Sequence, residues 1–181
     1  SGHGGLYAAK EIYKLIVEHR PCLIFVNTRA QAELLFQALW VHNDLTLKIG
    51  LHHGSLEVGL RRKTEAAMAR GELDAVVATS SLDLGIDWAD IELVVQVGAP
   101  KGTSRLLQRI GRAGHRLDAP SRALIVPANR FEVFEALAAK LNVEQRLLDD
   151  LPAHEGALDV LAQHIVGRAV AGPFSAEQLY R

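Results

Sequence analysis

Five cations, Lys101, Arg105, Arg109, Arg112 and Arg116, lie in a sixteen-residue run with no Asp or Glu. The chain as a whole carries a formal net charge of −1 at pH 7, so setting this +5 aside leaves −6 elsewhere. The arginines are spaced by four, three and four, a spacing that lines them along one face of a helix. Guanidinium groups so placed repel one another unless something anionic lies against them. Gly111 and Gly114 flank Arg112 and let another surface approach the backbone closely. Forked donors beside an approachable backbone are suited to phosphate oxygens. A solvated basic helix end would carry the same charge. Against it, each glycine would cost such a helix about 1 kcal/mol.

Four other stretches turn polar or Gly-rich after an apolar run. Asn27-Thr28-Arg29 can cap the helix that follows, and a helix N-terminus is also an anion site. In His52-His53-Gly54-Ser55, Gly54 and Ser55 offer a backbone N–H and a hydroxyl to a phosphate, with Arg61 and Arg62 on the next helix. The paired histidines lack the Cys, or the His four residues on, that a metal site requires. Thr79 stands at a strand end, and Gly85-Ile86-Asp87 follows it. Asp87 is readable as a turn-forming residue, or as a carboxylate that organises the nearby arginines. Thr103 or Ser104 is placed to cap the helix bearing the arginines and to meet a phosphate.

The elements that must position these residues are legible as alternating strands and helices. Apolar periodicity predicts helices over 6–20, 29–42, 57–70 and 129–141, a short helical segment over 143–148, and a helix over 157–170. Strands are expected at 22–26, 45–51, 74–79, 91–97 and 122–126. Continuous apolar strands between helices indicate an α/β domain with a mostly parallel sheet covered on both faces, whose ligand loops follow the strands' carboxyl ends. The 181 residues fit one ordinary domain over 1–150, and 151–181 forms a helical tail too short for a core of its own. Cys22, the one cysteine, sits in an apolar run and reads as a small buried hydrophobe. With no possible internal disulfide, no signal-peptide pattern and no apolar run near 18 residues, the expectation is a soluble cytoplasmic protein without membrane contact.

Gln108-Arg109-Ile110-Gly111-Arg112-Ala113-Gly114 resembles motif VI of superfamily 2 helicases. Leu23 to Arg29 resembles motif IV, His52 to Ser55 motif IVa, and Ala78 to Asp87 motif V, in the family's order. The resemblance is closest to the large helicase-related (Lhr) family, in its ligase-associated DEXH-box branch. It is carried further by Val97-Gly98-Ala99-Pro100-Lys101-Gly102, Pro127 to Val133 and Leu158 to Val166.

That resemblance implies a RecA-like three-layer domain, the second of two in a 3′-to-5′ DNA helicase with a DNA-repair role, and a tail that begins a winged-helix domain. It places Gly85, Asp87, Gln108, Arg109, Arg112 and Arg116 at an ATP carried with Mg2+ mainly by the first RecA-like domain. Arg112 matches the first arginine finger. The second falls on His115 or Arg116, and Arg116 is favoured because His is largely neutral at pH 7. Asn27, Thr28, Arg29, His53, Gly54, Ser55, Thr79, Thr103 and Ser104 are assigned to the nucleic acid. The implied partners are single-stranded DNA or a tailed duplex, the first RecA-like domain of the same polypeptide, and DNA ligase or nuclease repair proteins. The chain has neither G-x-x-x-x-G-K-[ST] nor D-E-x-H, so it is expected to be inactive alone. The rivals are an RNA helicase domain of related motif content, a non-catalytic nucleic-acid-binding module, and a nucleotide-binding regulator. The last two are disfavoured by the few aromatics available for stacking and by the lack of a Gly-rich loop after the first strand.

Overall fold

A computed structural model describes residues 8–83, 91–113, 121–149, 158–175 and 177. The chain divides into two compact units, 1–149 and 150–181. In the first, α1 (Ala9–Glu18), β1 (Cys22–Phe25), α2 (Arg29–Val41), β2 (Ile49–His52), α3 (Val58–Ala69), β3 (Ala75–Ala78), β4 (Leu93–Val97), α4 (Thr103–Ile110), β5 (Ala123–Val126) and α5 (Glu132–Glu144) follow one another. A single 3₁₀ turn, Ser80–Leu82, comes after β3. The second unit contributes α6 (Leu158–Ala171), whose residues are all exposed, the Leu158, Leu161 and Ile165 stripe included.

The five strands order as β2-β3-β1-β4-β5 and every pairing is parallel. Central β1, β3 and β4 are buried throughout, which explains why they read as unbroken apolar runs. Alternate side chains feed two cores. Ile24, Val77 and Val95 pack with Ile12, Ile16, Leu35 and Leu39 on one face. Leu23, Phe25, Val76, Ala78 and Val94 pack with Met68, Leu82, Ile91 and Ala113 on the other. Each such large side chain contributes about 1.5–3 kcal/mol by leaving water.

Two boundaries differ from the sequence expectation for local reasons. β2 begins at Ile49, not near Leu45, because the Asn43 side chain closes a turn. Its Oδ1 accepts from Leu47 N at 2.7 Å and its Nδ2 donates to Leu47 O at 2.9 Å. The segment expected over 143–148 is absorbed at its start into α5, which runs on to Glu144.

Because all strands are parallel, their carboxyl ends lie along one edge. The register sets His52 beside Ala78, Ala78 beside Phe25, and Phe25 beside Gln96. In-register residues of parallel strands project to the same face, so this row carries two polar groups, His52 and Gln96, on the face that Phe25 helps to build.

Candidate nucleotide and nucleic-acid edge

Three arginines converge on one aspartate, Asp83, that follows β3. Arg109 Nε donates to Asp83 Oδ1 at 2.8 Å, and its Nη2 to Oδ2 at 3.4 Å. Arg105 Nε lies 3.4 Å from Asp83 Oδ2, and Arg112 Nη2 donates to the Asp83 backbone carbonyl at 2.7 Å. Arg109 also donates Nη1 to Gln96 Oε1 at 2.5 Å, and its guanidinium lies 4.4 Å over the centre of the Phe25 ring. The Gln96 amide is spent in turn on the carbonyls of Val97 and Gly98. α4 stops at Ile110 with Gly111 as its C-cap, so Arg112 lies beyond the helix. The four- and three-residue spacings still bring Arg105, Arg109 and Arg112 to the same acid.

Asp83, Gln96 and Phe25 were not singled out from the sequence. A glutamine inside the otherwise apolar β4 was the available signal, since a buried amide must be paired. Asp87, expected to organise the arginines, lies outside the described residues, as do Gly85, His115 and Arg116.

A second network lies at the β2 end of the row. His52, 2% exposed, meets Glu65 Oε1 through Nε2 at 2.8 Å and Ser81 Oγ through Nδ1 at 2.8 Å. Ser81 Oγ lies 3.3 Å from Thr79 Oγ1 and 3.3 Å from the His52 carbonyl, which also accepts the Thr79 N–H at 3.2 Å. Thr79 is half-buried, while Gly54 and Ser55 are exposed in the loop after β2.

Thr28 caps α2 through a capping box. Its hydroxyl accepts from Gln31 N, and Gln31 Oε1 accepts from Thr28 N. Asn27 donates Nδ2 to Ala99 O at 2.9 Å, tying the loop after β1 to the loop after β4. Thr28, Arg29, Gln108 and Arg105 are exposed, and Arg112 and Ser104 partly so.

Three residues assigned to ligands from the sequence are turned inward instead. Arg109, 2% exposed, spends its donors on Asp83 and Gln96. His53, 2% exposed, faces Glu33 with Nε2 3.3 Å from Oε1. Thr103, 3% exposed, accepts from Asn142 Nδ2 at 3.2 Å. The cap of α4 is Gly102 at φ +98°, not Thr103 or Ser104. The donor at this helix end is met from within the chain, where Asp149 Oδ2 accepts Ser104 N–H at 2.9 Å. Backbone hydrogen bonds from Ser104 and Thr103 hold the Asp149 carboxyl below the usual range. Among the described residues no cluster of three or more His, Cys, Asp or Glu is placed to hold a metal ion, and no helix is long and apolar enough to cross a membrane.

Residues 8–116 match the family model of the helicase conserved C-terminal domain. The ATP-dependent helicase Lhr-Core protein 2 of Thermococcus barophilus is 39% identical over 95% of this chain, and Lhr-Core of Methanothermobacter thermautotrophicus is 41% identical over 92%. In each case the match spans 20% of the relative's length. Among solved structures, the Mycobacterium smegmatis helicase Lhr bound to single-stranded DNA and AMP-PNP is similar over 94% of this chain and 23% of that one. The TM-score is 0.83 at 34% identity.

Proposed function

The chain belongs to the helicase conserved C-terminal domain family, and from that premise we propose that it is the second motor domain of an ATP-dependent, 3′-to-5′ DNA translocase of the Lhr kind. The whole enzyme, its substrates and its partners are part of this reading, since the chain spans only about a fifth of the relatives it matches.

The observation that carries the proposal is the gathering of Arg105, Arg109 and Arg112 about Asp83 at the sheet edge that also bears Thr79. Arg105 and Arg109 meet the Asp83 carboxylate and Arg112 its backbone carbonyl, so one residue gathers three guanidiniums at this edge. Arg109 is the internal strut, and Arg112 and Arg116 are the fingers offered to a nucleotide held by a first RecA-like domain. Gln108, exposed on α4, and Gly85 and Asp87 are assigned in this reading to the nucleotide. ATP arrives with Mg2+ held by the other domain. Fingers of this kind offset charge on the transferring phosphoryl group and are worth roughly 10³–10⁵ in rate.

The strand side is built from Asn27, Thr28, Arg29, Gly54, Ser55, Thr79 and Ser104, which meet backbone phosphates. Closing of the two motor domains on ATP and their reopening after hydrolysis shift those contacts along one strand. The residues after 150 begin a winged-helix domain, and the setting is DNA repair alongside a ligase or nuclease.

The test is steady-state ATP turnover of the full-length protein carrying this domain, with single-stranded DNA, with single-stranded RNA and without either. For Arg112→Ala the expected result is a turnover loss of roughly 10³ with DNA binding retained. Unchanged turnover removes the finger assignment. Equal stimulation by RNA removes the DNA assignment, because phosphate contacts alone do not separate the two.

A further inference from the structure

The Glu65–His52–Ser81–Thr79 chain is more elaborate than anchoring a loop requires. His52 is buried between a carboxylate at 2.8 Å and a hydroxyl at 2.8 Å, and that hydroxyl is 3.3 Å from a second one at the rim. The hydroxyls can each donate or accept, so the imidazole's protonation biases which way the Ser81 and Thr79 protons point.

With His52 neutral, Nε2–H donates to Glu65 and Nδ1 has only a lone pair. Ser81 O–H then points inward to Nδ1, and its oxygen draws the Thr79 O–H toward itself. Thr79 O–H can then face outward only by giving up the Ser81 oxygen. With a solvent proton on Nδ1, the directions reverse. Nδ1–H donates to Ser81 Oγ, and Ser81 O–H is freed for Thr79 Oγ1 or the His52 carbonyl, each at 3.3 Å; turned to Thr79, it leaves Thr79 O–H directed outward as a donor. No covalent bond between heavy atoms changes; one proton enters at Nδ1 and two hydroxyls rotate.

We infer that His52 is a positioning residue for the nucleic-acid backbone: a phosphate bound at Thr79 is coupled to uptake of one proton by His52, through Ser81. The inference rests on the strand-contact reading above, in which Thr79 meets a phosphate. A phosphate oxygen accepts and does not donate, so it selects the outward-donating arrangement.

Among the described residues, the charged groups nearest His52 lie on α2, on α3 and after β3. α3 presents Glu65, with Arg61 one turn earlier. α2 presents Glu33, which faces the neighbouring His53 at 3.3 Å. Beyond Ser81, the Asp83 carboxylate is engaged by Arg105 and Arg109. Glu65 is the one carboxylate within ion-pair distance of the His52 ring among the described residues.

The test is binding of an oligothymidylate to the full-length protein, by calorimetry in PIPES and in Tris at one pH and one ionic strength. These buffers differ in ionisation enthalpy, so the difference in apparent heat reads the protons taken up. Titration of Kd between pH 6 and 8.5 gives the same quantity as a slope. For wild type, Kd is expected to weaken by up to about tenfold per pH unit across the range in which binding takes up the proton.

Ser81→Ala is the main variant, because it breaks the relay while leaving the buried His52–Glu65 pair in place. It is expected to lose the His52 share of proton uptake and to flatten the pH profile. His52→Gln is expected to do the same, and Glu65→Gln, which can still accept Nε2–H, to restore more than Glu65→Ala. If Ser81→Ala weakens binding but proton uptake is unchanged, the relay is wrong and His52 is only a scaffold. If Thr79→Val binds as wild type does, the strand does not lie on Thr79, and the reading beneath the relay fails first.

Discussion

Arg109 and Asp83 form an ion pair at 2.8 Å whose side chains are 3% and 9% exposed, on top of a phenylalanine ring. Breaking a buried pair by removing one partner costs about 3–5 kcal/mol, because the remaining charge stays buried. Arg109→Ala is therefore expected to lose an amount of that order in urea unfolding. Arg109→Lys recovers only part, since an ammonium cannot serve Asp83 and Gln96 together as the planar fork does. A loss below about 1 kcal/mol for Arg109→Ala would mean the pair contributes no more than a surface ion pair.

Gly98 tests the tie between the loops after β1 and β4. It holds φ +86°, and a Cβ there would lie 2.9 Å from Asn27 Nδ2, the atom that donates to Ala99 O. Gly98→Ala is expected to cost about 2 kcal/mol, from left-handed backbone strain and loss of one hydrogen bond. Gly54→Ala is the control. A Cβ there meets nothing within 4 Å, so its melting temperature should match wild type.

Cys22 is predicted to be inert in the native protein. Burial, and then the charge of Glu92, push its thiol up to about 12. At pH 8 that leaves roughly one thiolate in ten thousand, and the thiolate is the reactive form. Iodoacetamide labelling followed by mass spectrometry should find the thiol unmodified until urea unfolds the chain. Stoichiometric labelling within minutes in native buffer would contradict the buried position.

Asp149 should titrate below the ordinary carboxylate range, because the Ser104 and Thr103 amides favour its charged form. A depressed folded pKa contributes stability that is present above the unfolded value, near 4, and is lost as pH falls through the folded one. Carboxyl-detected NMR gives the midpoint directly. In Asp149→Asn, amide exchange at Ser104 should be faster than in wild type at neutral pH. An ordinary midpoint would show that the carboxylate does not sit on the α4 end.

The sheet was legible because its central strands are apolar without interruption, a pattern that parallel strands buried on both faces impose. The start of β2 was not, because the Asn43 side chain imitates a backbone partner and lets the chain turn inside an apolar stretch. The arginine spacing correctly put Arg105, Arg109 and Arg112 on one side. It carried no information on depth: charge and period are the same for a solvated arginine and one sunk over Phe25. Asp83 and Asp87 were likewise equivalent by composition and spacing; Asp83 meets Arg105 and Arg109 from the turn after β3, and Asp87 lies outside the described residues. Thr103 was misplaced because Gly102 takes the cap, leaving the threonine one step inside the helix and under Asn142.

The 3₁₀ turn Ser80–Leu82 is flanked by the two polar networks, with Ser81 joined to His52 and Asp83 joined to the arginines. One residue, Leu82, separates those attachments, and it is pinned in the core at 2% exposure. So short a segment has no slack to take up a displacement at one end. On the proposed reading, Arg112 would exchange the Asp83 carbonyl for a phosphoryl group, and that exchange would act directly on the turn that holds Ser81. The proposed nucleotide side and the proposed strand side would then be joined through one short turn.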